Sequence, residues 1–238
     1  MNRLGRILNL AAIEAALRDL QAHFPEINKL LKSRRDAIEG SLIANMMAGY
    51  ELVDSLLAQD LDLFAMGHLK LLLEINATVL WGRDEQERAP AARHLAATEK
   101  RFYEQEGGGI RDIVEWYTLH QTESPWRRAA GVYVHMLSEP ELFIEGNHRT
   151  GALVVSYILA REGRPPFVLT AASAKAYLDP STLVTETRKH SLVAAYRLRK
   201  LKRYFAKFLK EHADWRYLTA SPTGDEVLSI QGGPTALQ

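Results

Sequence analysis

Cysteine is absent from all 238 residues. That absence excludes a disulfide framework, Cys-ligated zinc, an iron–sulfur cluster and a thiol nucleophile. It also fits a reducing, cytoplasmic setting, which is the location expected here. Charge of one sign is equally scarce: thirty Lys and Arg face twenty-nine Asp and Glu, a formal net of +1. A chain so balanced does not read as a polybasic nucleic-acid binder or an acidic solvating protein. Long apolar runs are missing too. The uncharged stretches Gly40–Tyr50 and Gly151–Ala160 fall far short of the ~18 residues a membrane helix needs, so no membrane association is expected. Arg3 and Arg6 precede a short apolar run, but Glu14, Arg18 and Asp19 interrupt it and no cleavage site follows, so no secretory signal is expected. Neither the Gly-x-x-x-x-Gly-Lys-(Ser/Thr) phosphate loop nor Gly-x-Gly-x-x-Gly occurs, and no histidine pair has metal-ligand spacing, so no zinc site is expected.

What remains is an ordinary balance of 47% apolar and 25% charged residues, which is that of a globular core with a solvated surface. The apolar period is helical nearly throughout. Leu10, Ile13, Leu17, Leu20 and Phe24 form a stripe expected to end at Pro25, where a proline breaks the hydrogen-bond ladder. A second helix is expected from Glu26 to about Leu42, weakened or ended by Gly40 and Gly49, and a short third around Leu52–Leu57. A long fourth is expected over about Asp60–Trp81, stopped by Gly82. Helix resumes at Ile110–Tyr117. Ser124–Pro125 then pairs a capping residue with a first-turn proline, opening a helix that ends before Pro140. Thr150–Glu162 reads as a buried helix closed by Gly163, and Thr187–His212 as the last long one. The expected organisation is all-α: an N-terminal helical extension over 1–34, one helical domain over 35–212, and a flexible tail over 213–238.

One stretch carries chemistry: Glu141-Leu-Phe-Ile-Glu-Gly-Asn-His-Arg-Thr150, between two expected helices. Gly146 and Asn147 tolerate left-handed backbone, and a helix starts immediately after them. Free N–H groups and the positive helix end then converge, a suitable place for an anion. Arg149 adds a planar fork suited to phosphate oxygens, and Glu145 an oxygen ligand of the type that holds magnesium beside phosphates. A plain turn and cap, with Arg149 on a solvated face, accounts for the same residues.

The run Phe143-Ile-Glu-Gly-Asn-His-Arg-Thr-Gly151 resembles the signature of the Fic (Fido) family, His-Pro-Phe-x-(Asp/Glu)-Gly-Asn-Gly-Arg-x-x-Arg. Arg161-Glu-Gly-Arg-Pro-Pro-Phe-Val-Leu169 is similar to the family's next exit turn, and Ile110–Tyr117 and Trp126–His135 to the two helices before the signature. Ala37-Ile-Glu-Gly-Ser41 resembles the end of the family's inhibitory helix. The likeness spans roughly residues 35–212 and is specific only around 143–169. It implies an all-helical, single Fic-like domain that takes ATP and Mg2+ and transfers AMP to a hydroxyl of a target protein. On that resemblance Glu145 is the magnesium ligand, Gly146 and Asn147 with Arg149 hold phosphate, Phe143 anchors the loop, and Glu39 is the inhibitory glutamate. A small β-hairpin flap that aligns the target peptide falls at Lys100–Gln105; an irregular surface loop is the alternative.

The departures concern the chemistry. Glu141 stands at the catalytic histidine's position, Leu142 at the following proline, His148 at the second glycine and Ala152 at the second arginine. Arg35 replaces the Ser or Thr that precedes the inhibitory glutamate by four. A histidine near pKa ~6.5 suits proton transfer at neutral pH; a glutamate near ~4.3 is a much weaker base unless burial or phosphate charge raises it. Glu141 and His148 are the two candidate proton acceptors, although a solvent-facing His148 is equally compatible. Two functions therefore stand open, a nucleotide-dependent transferase with an altered base and an inactive Fic-like module that binds a partner. A third, nucleic-acid contact, rests on nine Lys or Arg without an acid between Arg188 and Lys210, and the near-zero net charge argues against it. An oligomer is compatible with the sequence.

Overall fold

The computed structural model describes residues 7–189 and 192–219. Among these the chain is all-α, with isolated β-bridges in place of strands. The helices are α1 (Leu10–Leu30), α2 (Gly40–Ala58), α3 (Lys70–Trp81), α4 (Glu85–Arg88), α5 (Ala92–Glu104), α6 (Ile110–Leu119), α7 (Pro125–Leu137), α8 (Asn147–Arg161), α9 (Ala174–Thr185) and α10 (Leu192–Glu211). At the centre lies α8, apolar on all sides and buried without a break from Thr150 to Ala160. Such a helix needs neighbours all round, and α7, α2 and α3 supply them, while α10 covers the outer side of α7. No helix of the described residues is long and apolar enough to cross a membrane.

The sequence punctuators act as expected at several ends. Gly82 (φ +71°) and Gly163 (φ +67°) adopt left-handed backbone after α3 and α8, and Pro125 occupies the first turn of α7. Elsewhere packing overrides them. Helix α1 continues through Pro25, because Phe24 and Ile27 on either side bury against α9 residues Ala174 and Leu178; the lost N–H bond is outweighed by continuing the apolar stripe. The expected helix over 26–42 breaks instead. Residues 31–39 run as an irregular strap, pinned where Asn28 Nδ2 donates to the Arg35 carbonyl (2.7 Å) and Arg35 N–H donates to Asn28 Oδ1 (2.8 Å). Gly40 opens a helix rather than closing one, and α2 runs through Gly49, where a Cβ would lie 2.3 Å from Leu153 Cδ1. Glycine there lets α2 approach α8.

Further expectations change, among them the helix expected over about Asp60–Trp81, which starts only at Lys70. Lys100–Gln105 is not a β-hairpin flap: all but its last residue lies in α5, whose inward face of Leu95, Thr98 and Phe102 has helical spacing. Phe102 is fully buried and stacks on Phe143 with ring centroids 5.7 Å apart. Helix α9, which contains Pro180, was not expected from the sequence at all. The segment 213–219 belongs to the fold rather than to a tail. Asn9 N–H donates to the Tyr217 carbonyl (2.9 Å), Thr219 N–H donates to the Ile7 carbonyl (3.0 Å), and Tyr217 is buried. The remainder of the expected tail, 220–238, lies outside the described residues, as do residues 1–6 of the N-terminal extension. Within that extension, Ile13 and Leu17 of α1 share the main core, and Asp54 of α2 accepts the N–H groups of Ile7 and Leu8, both at 2.8 Å.

Candidate functional site

The signature segment leaves α7 and enters α8 through a loop whose geometry follows from two residues. Gly146 has φ +78°, and a Cβ there would stand 2.9 Å from Asn76 Nδ2 and 3.2 Å from Leu80, so both backbone and space call for glycine. Asn147, 3% exposed, turns its side chain back into the loop. Its Oδ1 accepts the Phe143 N–H (3.0 Å), and its Nδ2 donates to the Phe143 carbonyl (2.8 Å) and to Glu141 Oε2 (2.5 Å). Asn76 fastens the loop from α3, donating to the Glu145 carbonyl (2.9 Å) and Thr150 Oγ1 (3.0 Å). The first intrahelical bond of α8 runs from Thr150 N–H to the Gly146 carbonyl (2.9 Å). The N–H groups of Asn147, His148 and Arg149 stand ahead of that bond, in the first turn where a helix leaves its donors without intrahelical partners.

The structure brings Glu141 and Asn147 into direct contact and sets Glu145 beside Arg149, with Arg149 Nη2 3.4 Å from Glu145 Oε1. Arg149 Nη1 donates to the Val79 carbonyl (2.9 Å), which ties the guanidinium to α3. Burial pulls the Arg149 pKa below its ordinary value, and Glu145 opposes the shift. The Glu145 side chain is 59% exposed. Burial raises the Glu141 pKa above the ordinary carboxylate range, against the lowering effects of Arg101 and of the Asn147 hydrogen bond. Arg101 Nε also donates to the Glu141 carbonyl (2.9 Å).

His148 faces the other way. Its Nδ1 lies 3.4 Å from the Tyr133 hydroxyl, and its carbonyl accepts from the Tyr177 hydroxyl (3.4 Å). Burial, with the charges of Arg35 and Arg149, lowers its pKa to about 4, so it is neutral at pH 7. The solvent-facing alternative for His148 therefore does not hold. Its ring lines a cavity of about 310 Å3 together with Arg35, Arg149 and Ala152. Glu39 is not part of this cavity. It is exposed and sits as the extended residue before α2, not at the end of a helix, because the preceding strap is held non-helical by Asn28.

Asn76, Tyr133 and Tyr177 were missed in the sequence, and Arg101 was named only as part of the Lys100–Gln105 segment read as a flap. Asn76 had a weak signal, a polar amide directly after Ile75 on the apolar side of the helix with Leu72 and Val79; Tyr133 and Tyr177 come from distant elements and had none.

Magnesium and ATP, which the family resemblance implies, can be tested on these residues. No group of three His, Asp or Glu able to hold a metal occurs among the described residues. Glu145 is a single accessible carboxylate at the helix start, a donor set that suits magnesium only where phosphate oxygens and water complete the shell. Phosphates fit the first-turn N–H groups beside it.

No family model and no curated protein matches the chain. Solved structures do resemble it, and two of them illustrate the likeness. One is a Fic domain containing signaling protein from Bacteroides thetaiotaomicron, at 16% identity and TM-score 0.44, covering 85% of this chain and 89% of that one. The other is a fragment of Fic-1 from C. elegans, at 18% identity and TM-score 0.44; 85% of this chain is covered, and it spans 60% of that chain's length. At such identities and scores neither likeness carries an activity over.

Proposed function

We propose that this chain is a Fic-like protein that binds the phosphates of a magnesium–nucleotide at the start of α8 and has lost efficient AMP transfer. The observation that carries the reading is the signature loop itself. Gly146 is left-handed, Glu145 is accessible and ion-paired with Arg149, and α8 begins immediately after Gly146 with its first-turn N–H groups. Glu145 would hold magnesium and Arg149 would pair with a phosphate oxygen. ATP would supply the phosphates and the adenylyl group.

The base position argues against transfer. Glu141 has one oxygen taken by Asn147 at 2.5 Å, and a carboxylate beside phosphates adds like-charge repulsion that a histidine would not. His148 is neutral but turned toward Tyr133 and the cavity. A second reading, transfer with Glu141 as general base, is favoured by the upward shift that burial gives this carboxyl, since a base near the working pH is the effective one.

Calorimetric titration of Mg–ATP tests the binding, with Arg149→Ala as control. Saturable binding lost in the variant supports the site; equal binding by both forms, or none in folded protein, overturns it. Incubation with labelled ATP separates the two readings. Absence of labelled protein is expected, whereas labelling abolished by Glu141→Gln would establish the second.

A further inference from the structure

Beside the signature loop, the roughly 310 Å3 cavity is a half-open pocket between α1, the 31–39 strap, α2, α8 and α9. Its wall is mostly apolar, built from side chains such as Leu20 and Phe24 of α1, Ile43 and Met46 of α2, and Leu178 of α9. Polar groups enter from the strap and the start of α8: Arg35, Asp36, His148 and Arg149. The cavity reaches the small end of the range of ligand pockets, about 300–1,000 Å3. At a water's share of liquid volume, about 30 Å3, it has room for about ten non-hydrogen atoms.

The charges at that end are not matched within the fold. Arg35 Nη2 donates to Thr182 Oγ1 (2.8 Å), but Arg35 Nε is buried and has no hydrogen-bond partner among the described residues. The residue as a whole lines the cavity, and no carboxylate is ion-paired with it among the described residues, so its positive charge has no counter-charge in the fold. Arg149, bonded to the Val79 carbonyl and Glu145, is the guanidinium assigned to phosphate at the start of α8, and Asp36 is exposed to water at the rim, where its charge is screened. One guanidinium is therefore free to meet one negative charge. A triphosphate does not suit an interior of Leu, Ile, Met and Phe, whereas an apolar body with a single anionic head does.

We propose that this cavity binds a small amphiphilic monoanion, a carboxylate on an apolar body of about ten non-hydrogen atoms, with Arg35 pairing the head group and the α1–α2–α9 wall burying the body. The site goes beyond the phosphate site at the start of α8. Its position next to His148 and Arg149 joins the two through the first turn of that helix.

The test uses the full chain and three probes: octanoate, octanol and inorganic phosphate. Octanoate binds saturably, octanol at least tenfold more weakly, and phosphate does not displace octanoate at equal concentration. Arg35→Met, which keeps an apolar stem, weakens octanoate by tenfold or more and leaves octanol unchanged. Ala152→Leu, which fills the cavity, weakens both. Circular dichroism checks that each variant is folded; if Arg35→Met does not fold, the octanoate-to-octanol ratio in the unaltered protein decides. Equal affinity for acid and alcohol, displacement by phosphate, or no octanoate binding overturns the proposal. Glu145→Gln separates the two sites, since it weakens Mg–ATP without weakening octanoate. Octanoate binding in protein that does not bind Mg–ATP would sink the nucleotide reading alone.

Discussion

Replacing Asn147 with alanine tests whether the signature loop is held by its own side chains. The amide makes three bonds, to the Phe143 N–H, the Phe143 carbonyl and the Glu141 carboxylate, at 3% exposure. Each neutral bond contributes about 1 kcal/mol and one to a charged group about 1.5–3 kcal/mol. Phe143 is buried, so its N–H loses a partner that water does not readily replace. Together these place the loss for Asn147→Ala at about 3–5 kcal/mol. For a chain of this length that lowers Tm by about 6–20 °C. Urea unfolding followed by far-ultraviolet dichroism measures it, with an unchanged slope showing that stability changed while the surface exposed on unfolding did not. Asn147→Asp is the informative partner. It keeps an acceptor for the Phe143 N–H but sets a second carboxylate beside Glu141, so it recovers stability as the pH falls and one of the pair takes up a proton. A loss below about 1 kcal/mol for alanine, or an aspartate variant whose stability relative to the parent is flat from pH 7 to pH 4, would refute the reasoning.

Gly146→Ala strains left-handed backbone by about 1–2 kcal/mol and brings a Cβ within 2.9 Å of Asn76 Nδ2. Chemical denaturation should show a loss of at least 1 kcal/mol, and a neutral result would count against the turn. His135 is pushed down to about 3 by burial, with Lys189 and Lys202 adding to the shift. The folded form binds fewer protons than the unfolded one between pH 6.5 and 3, so stability falls as the pH drops through that window. His135→Gln should flatten that part of the profile, and an unchanged acid limb would remove His135 as a cause. Asp54→Ala leaves the N–H groups of Ile7 and Leu8 without their shared acceptor. Amide exchange at Leu8 and Asn9 should accelerate by tenfold or more, and exchange as slow as in the parent would show that the pairing with Tyr217 suffices.

Helical period, the ends at Gly82, Pro125 and Gly163, and the loop before α8 were all legible in the sequence. Each depends on residues close together in the chain: apolar spacing, a missing Cβ, a missing N–H. The errors arose where distant surfaces outbid local preference. Pro25 stays inside α1 because Phe24 and Ile27 bury on α9, and Lys100–Glu104 is helical because Phe102 meets Phe143 across the fold. The candidate site divides in the same way. The sequence by itself determined that Glu145, Gly146, Asn147 and Arg149 would meet at a helix start, since a left-handed glycine followed by a helix places its own neighbours. Only the tertiary structure decided that Asn147 clasps Glu141, that His148 turns inward beside Arg35, and that Glu39 stays on the surface. Those outcomes rest on α1, α3, α7 and α9, and contacts between elements far apart in sequence have no local pattern from which to read them.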